Sequence, residues 1–146
     1  MRHMSVAAGL VVLTGRILIA IFFGAVAGVG HVKKSRMYEE SAKSAGFPIP
    51  AIAGWPTGLW LLAGSVSIVL GIWPDVGALM FAAFLVPAAL FLHAYWKIDD
   101  PAPRRTQRGS FFRNVMMLGS SLVMFGMFAS VGGALRFSLT APLFRF

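Results

Sequence analysis

The stretch VGALMFAAFLVPAALFLHAYWKIDD, residues 76–100, decides the fold class of this chain. It runs without a charge from Val76 to Leu92, then passes through a histidine and two aromatic residues to a lysine and two aspartates. An apolar run of about 20 residues is what a helix needs to cross the hydrocarbon core of a bilayer. Aromatic residues followed by charges are typical of a helix leaving the membrane. The stretch therefore predicts a membrane-spanning helix.

Three further stretches have the same character. No charged residue lies between Lys43 and Asp75 or between Arg113 and Arg136, and Arg16 alone interrupts residues 8–30. Charged residues make up only 12% of the chain, about half of what a soluble domain carries. The sequence predicts an all-α membrane protein, an antiparallel bundle of four transmembrane helices in one domain, 1–146. The expected spans are 8–30, 55–73, 76–96 and 111–133, with Pro87 bending the third.

Length and composition exclude several classes of protein. Four spans with their connections use nearly all 146 residues, which leaves no room for a soluble catalytic domain or a nucleotide-binding fold. The absence of cysteine removes disulfides, thiol redox chemistry and thiolate metal sites.

The basic residues are distributed unevenly. Nine lie in the expected loops 31–54 and 97–110 or at their edges, and three lie at the opposite ends of the spans, Arg2, Arg136 and Arg145. By the positive-inside rule the two loops are cytoplasmic and both termini extracytoplasmic in a multi-pass protein of the plasma (inner) membrane. The net charge of +8 then reflects topology and attraction to anionic lipid headgroups, and we expect no nucleic-acid partner.

Small residues and connecting segments add detail. Ala20, Gly24 and Gly28 share one face of span 1, and Gly64, Ser67 and Gly71 share one face of span 2. Such faces let helix backbones approach closely in lipid; a homodimer interface is not excluded. The segment 35–45 has helical periodicity and ends at Gly46, either lying along the inner membrane surface or forming an ordinary loop helix. The C-terminal tail is expected along the outer interface.

Two charged residues stand out in the outer half of the bundle. Arg16 lies within span 1, where a charge costs a few kcal/mol unless it finds a partner. Asp75 is the one acidic residue expected on the outer side. The sequence predicts a structural ion pair between Arg16 and Asp75; the alternative is that Arg16 binds an anionic or carbonyl-bearing ligand.

Four polar residues are expected at similar depth near the inner leaflet, one from each span. They are His31, Trp60, His93 and Asn114. Two imidazoles, an amide and an indole N–H suit a quinone headgroup, with hydrogen bonds to its oxygens and an aromatic cover. The alternative is that they cap helix ends and bond one another. Two histidines without a carboxylate are too few for a metal site, so no metal is expected.

The chain resembles the DoxX family of small membrane proteins over about residues 12–128. The first half carries GRILIAIFFGAVAGVGHVKK, an arginine-bearing span ending in a His/Lys pair, then SAGFPIP and LLAGSVSIVLGIW. The second half carries FLHAYWKIDDPAPRRTQRGSFFRNVMMLGSSLVMFG, with a histidine-ended third span and a Phe-x-x-Asn entry to the fourth. One departure is Trp60, where many relatives carry a glutamate, which puts catalytic competence in doubt.

The resemblance implies a four-helix plasma-membrane protein related to the small subunit of a thiosulfate:quinone oxidoreductase or terminal quinol oxidase. We therefore expect an accessory membrane subunit that docks onto other membrane-protein subunits in a larger complex, with a respiratory or oxidative-stress role. Quinone or quinol is the one cofactor considered, and the first alternative is a quinone-binding subunit of an oxidoreductase. A small transporter or channel is the further alternative, although no acidic proton relay or broken helix pair is visible.

Overall fold

A computed structural model describes residues 4–146; Arg2, one of the three basic residues expected on the outer side, lies outside them. The described chain is helical and contains no strand. Its five helices are α1 (Val6–Lys33), α2 (Ser35–Ser44), α3 (Trp55–Leu70), α4 (Pro74–Pro87) and α5 (Pro101–Val131). Within α1, residues Ile21–Gly28 form a π-helix, and a second π-helical segment, Ala88–Leu92, continues α4.

The helix ends follow from local sequence. The hydroxyl of Ser5 accepts the N–H of Ala8 at the start of α1, and the carboxylate of Asp100 accepts the N–H of Ala102 at the start of α5. Both side chains satisfy N–H groups that have no helical partner. Gly46 and Gly71 follow α2 and α3 with φ of +75° and +65°. Only glycine adopts this left-handed conformation without strain, and it stops each helix.

Three segments are long and apolar enough to cross a membrane: Val6–Lys33, Pro74–Lys97 and Pro101–Ala134. The predicted second span is the shorter helix α3, whose 16 residues extend about 24 Å at 1.5 Å per residue. The chain is thus an all-helical membrane protein with three such spans and one shorter apolar helix.

The helices pack in chain order, α1 on α3, α3 on α4, and α4 on α5. Glycines form the closest contacts. A Cβ on Gly58 would lie 2.7 Å from the carbonyl oxygen of Gly28, and one on Gly77 would lie 2.9 Å from that of Gly64. The small-residue faces of spans 1 and 2 are therefore used inside the chain. The core between the helices is apolar: Phe23, Leu61, Ile68, Ala78, Phe81, Leu85, Phe128 and Leu135.

The two connections differ from simple loops. The segment predicted at 35–45 is helical, and its Ala42 is only 1% exposed. This helix therefore packs against the rest of the chain. The expected loop 97–110 is largely the first part of α5. Asp100 caps that helix, and Pro101 and Pro103 occupy its first turn. Proline is tolerated there because N–H groups of the first turn have no acceptor within the helix.

The C-terminal tail folds over the turn between α3 and α4. Backbone N–H groups of Leu139 and Thr140 donate to the carbonyls of Leu70 and Gly71, at 3.1 and 3.0 Å. The Thr140 hydroxyl accepts the N–H of Trp73 at 2.8 Å. These bonds satisfy groups left open at the end of α3, so the tail is part of the folded structure at this end of the helices.

Candidate functional site

Arg16 is buried beside the last turn of α3 with an exposed fraction of only 2%. Its Nε donates to the carbonyl of Ile68 at 2.6 Å, Nη2 to Val69 at 2.9 Å and Nη1 to Arg136 at 3.3 Å. The first two carbonyls belong to the last turn of α3, which has no helical N–H for them and carries the negative end of the helix dipole. Arg16 thus caps α3 from a neighbouring helix.

The predicted ion pair between Arg16 and Asp75 is absent from the described residues. The carboxylate of Asp75 is fully buried, and its Oδ2 accepts the backbone N–H of Phe144 at 2.6 Å. Its Oδ1 has no protein partner. Backbone groups take the place of the ion pair: α3 ends within reach of the arginine, and the returning tail brings one N–H to the aspartate.

His31 lies near the other end of α1, 5% exposed. Its ring stacks on Tyr38 of α2, with centroids 3.7 Å apart, and meets Phe84 of α4 edge-on at 5.7 Å. Nδ1 lies 2.6 Å from the carbonyl oxygen of Ala53. Because a carbonyl only accepts, Nδ1 carries the hydrogen and Nε2 of the neutral ring is left as an acceptor.

A cavity of about 320 Å³ lies beside His31, between α1, α2, α3 and α4. Its volume is at the lower end of the range for small-molecule sites. Most of the wall is apolar, and its side chains come from all four helices and from the segment that joins α2 to α3. The lining residues are His31, Ala42, Phe47, Ile52, Ala53, Pro56, Thr57, Trp60, Ala83, Phe84, Pro87, Ala88 and Leu92.

Pro87 explains why α4 leaves room here. Proline has no N–H for the carbonyl of Ala83, four residues earlier, and the N–H of Ala88 bonds to Phe84 and Leu85 instead. The helix then continues as the π-helical Ala88–Leu92. Such segments are rare and occur often at functional sites. The break in the helical ladder lies in the cavity wall and leaves the Ala83 carbonyl without its usual donor.

Trp60 lines the same cavity and is half exposed, at 46%. Its indole N–H donates to the carbonyl of Met80 on α4 at 2.8 Å. The indole ring therefore serves as an apolar wall, and its polar group is already bonded. Ile52, also in the wall, is 44% exposed, so the cavity opens on the side where these two residues lie.

The structure places the other two predicted ring residues elsewhere. His93 follows the π-helical segment in a non-helical conformation, and its Nδ1 donates to the amide oxygen of Gln107 on α5 at 2.8 Å. Asn114 is buried within α5, and neither residue lines the cavity. Of the four residues, the cavity thus brings together His31 and Trp60 only.

Several cavity residues were not singled out from the sequence. Thr57 donates its hydroxyl to the carbonyl of Ile52 at 2.6 Å, and Phe47 packs edge-on against Phe91 at 5.3 Å. The signal for them was the proline-rich GFPIP segment before α3, which prevents regular helix and lets the connection fold back over the helix ends.

A second, apolar groove of about 270 Å³ separates α1 from α5. Its two serines, Ser120 and Ser121, donate to carbonyls of their own helix, those of Met116 and Met117, at 3.0 and 2.9 Å. No hydroxyl hydrogen is left for a ligand. Within residues 4–146, no group of three histidine or carboxylate side chains is placed to hold a metal ion.

Comparison with known proteins gives one finding. The DoxX family model matches residues 11–94, which include most of α1 and all of α2, α3 and α4 and end before α5. No curated protein and no solved structure gives a significant match. The match covers more than half of the chain and includes every residue that lines the cavity beside His31. On this evidence the chain belongs to the DoxX family.

Proposed function

We propose that this protein is an accessory subunit of a membrane redox complex and that it binds the ring of a quinone or quinol in the cavity beside His31. The observation that carries the proposal is the cavity itself. It is apolar, it holds one unpaired imidazole nitrogen, and an aromatic residue, Trp60, forms part of its wall. A ring headgroup with few polar atoms suits such a site.

The open side of the cavity supports entry from the membrane. Trp60 and Ile52 are exposed there, and Ala83 is an exposed residue of the same wall. An isoprenoid tail leaving between them would remain in the hydrocarbon region while the ring lies inside. Trp60 stands where many relatives carry a glutamate, and no carboxylate lines the cavity. The cavity therefore suits binding of the ring better than proton transfer to or from it.

The proposal includes four spans, with α3 as the second. Arg16 of α1 contacts the carbonyl of Ile68 in the last turn of the antiparallel α3, and His31 contacts that of Ala53, just before α3 begins. Arg16 and His31 are fifteen residues apart on α1, about 22 Å along that helix, so α3 runs alongside the second half of α1. The bilayer accommodates this short helix by thinning locally, and Trp55 and Trp73 anchor its two ends at the membrane interfaces.

The proposed orientation is the one that the basic residues favour, with both loops in the cytoplasm and both termini outside the plasma membrane. A cysteine introduced after Phe146 tests it, since the chain has none of its own. A membrane-impermeant maleimide should label this cysteine in intact cells. Labelling only after the membrane is permeabilised would contradict the orientation.

A matched pair of variants tests ring binding. Ala83→Phe places a phenyl group in the cavity wall, whereas Val86→Phe places one at an exposed position of α4 that does not line the cavity. Binding of a decyl-tailed benzoquinone, followed by tryptophan fluorescence in lipid nanodiscs, should weaken more than about tenfold in the first variant alone. Equal binding by both variants would refute the site.

The accessory role is tested by mild-detergent purification of the tagged chain. A redox enzyme subunit in fixed stoichiometry is the expected result. Purification as an isolated protein at native expression level would contradict this part of the proposal and leave ring binding untouched.

A further inference from the structure

Each polar side chain that lines the cavity beside His31 already donates its hydrogen to another group of the protein. Nδ1–H of His31 donates to Ala53, the hydroxyl of Thr57 donates to Ile52, and the indole N–H of Trp60 donates to Met80, at 2.6, 2.6 and 2.8 Å. These are the three residues with polar side-chain atoms among those that line the cavity. All three donate to backbone carbonyls, which cannot donate in return.

What remains on the side chains of the cavity is a set of acceptors. Nε2 of His31 has a free lone pair when the ring is neutral, and the Thr57 oxygen keeps its lone pairs after donating its hydrogen. The carbonyl of Ala83 receives no N–H from Pro87, and the N–H of Ala88 bonds elsewhere. Pro56 and Pro87, two of the lining residues, have no N–H at all.

We infer that the cavity selects a ring that carries hydroxyl groups over the same ring carrying carbonyls, so that it binds a hydroquinone in preference to the quinone. A hydroquinone donates two hydrogens, which the free acceptors take up. A quinone offers only acceptors, and its oxygens would lose their water without gaining a side-chain donor, which is the costly outcome for a buried polar group. This inference rests on the proposed ring-binding function and names the form of the ligand.

The size of the preference follows from one hydrogen bond. One or two additional neutral hydrogen bonds should make the hydroquinone bind roughly tenfold more tightly. For a two-electron couple a tenfold difference raises the reduction potential of the bound ligand by about 30 mV relative to the free ligand.

The test compares three forms of one decyl-tailed ring under anaerobic conditions: the quinone, the hydroquinone, and the hydroquinone with both hydroxyls methylated. Binding is measured with the full chain in nanodiscs. We expect the hydroquinone to bind about tenfold more tightly than either of the others. Because the methylated ring has the same electronic state but no hydrogen to donate, its weak binding assigns the preference to hydrogen bonding.

Two histidine variants locate the effect. His31→Phe keeps a ring to stack on Tyr38 and removes the acceptor, and should reduce the preference to less than about threefold. His93→Phe makes the same change outside the cavity and should keep the full preference. Thr57→Val is the second test, because it removes another acceptor with little change in shape and should likewise reduce the preference. Each variant leaves one backbone carbonyl unpaired, that of Ala53 or that of Ile52, so agreement between them assigns the effect to the lost acceptors.

The possible outcomes are distinct. Equal affinity of the native protein for the quinone and the hydroquinone overturns this inference and leaves ring binding standing. Tight binding of the methylated ring also overturns it. Failure of all three rings to bind overturns the proposed function itself.

Discussion

Replacement of Arg16 by methionine tests the structural role assigned to this buried residue. The change removes hydrogen bonds to three carbonyls, two of them at the end of α3, at 2.6, 2.9 and 3.3 Å. Carbonyls left unpaired cost about 1–3 kcal/mol each, or roughly 5 kcal/mol for the three. Removing an arginine from a membrane span returns about 2.5–3.5 kcal/mol of desolvation. The net expected loss is about 2 kcal/mol.

Thermal unfolding in detergent, followed by far-UV circular dichroism, measures this loss. For a chain of this size 1 kcal/mol corresponds to about 2–4 °C in Tm, so Arg16→Met should lower Tm by roughly 4–8 °C. Arg16→Lys should be at least as harmful, because an ammonium keeps the cost of the buried charge and lacks the planar fork that contacts several carbonyls.

Arg145→Met is the matched control, since Arg145 is an exposed arginine of the C-terminal tail. Its Tm should remain within about 1 °C of the native value, as expected for exposed positions. A lysine at position 16 that preserves the native Tm would refute the reasoning, because it would show that the charge alone matters and not the cap of α3.

Two further predictions concern packing and the tail. Gly58→Ala should destabilise the protein, because the new methyl would lie 2.6 Å from a methyl of Val32. Gly119→Ala, whose new methyl would have no atom within 4 Å, should be neutral or stabilising by up to about 1 kcal/mol. Equal Tm values for the two variants would contradict the close contact. Deletion of residues 141–146 removes the N–H of Phe144 that pairs with the buried Asp75 and should lower Tm by several degrees. An unchanged Tm would show that this pairing does not stabilise the fold.

The class of fold could be predicted from the sequence because it depends on sums over many residues. Uncharged runs and their flanking aromatics identified the apolar helices, and the stripe through Gly24 and Gly28 predicted a close helix contact without identifying its partner. The helix after residue 35 and its end at Gly46 could also be predicted, because a glycine that ends a helix in the left-handed conformation is a local sequence signal. The start of α5 at Pro101 was missed, although Asp100 before two prolines is a local signal for it.

The candidate site was predicted only in part, for geometric reasons. His31 and Trp60 were found because both interrupt apolar helices. His93 was assigned to the same site on the assumption of a regular helix, which the π-turn after Pro87 breaks. The ion pair of Arg16 with Asp75 failed because backbone carbonyls and N–H groups compete for charged side chains, and such partners leave no mark in the sequence. The roles of Ala53 and Thr57 depend on how the proline-rich connection folds back.

Photolabelling tests the central claim most directly, that a quinol-type ring occupies the cavity beside His31. A decyl-tailed ring bearing an azido group is activated in the presence of the full chain in nanodiscs, and the labelled peptides are identified by mass spectrometry. The predicted adducts lie within residues 31–60 and 83–92, the two ranges that contain the lining residues of the cavity. Adducts confined to residues 18–23 and 116–124, which line the groove between α1 and α5, would contradict the claim.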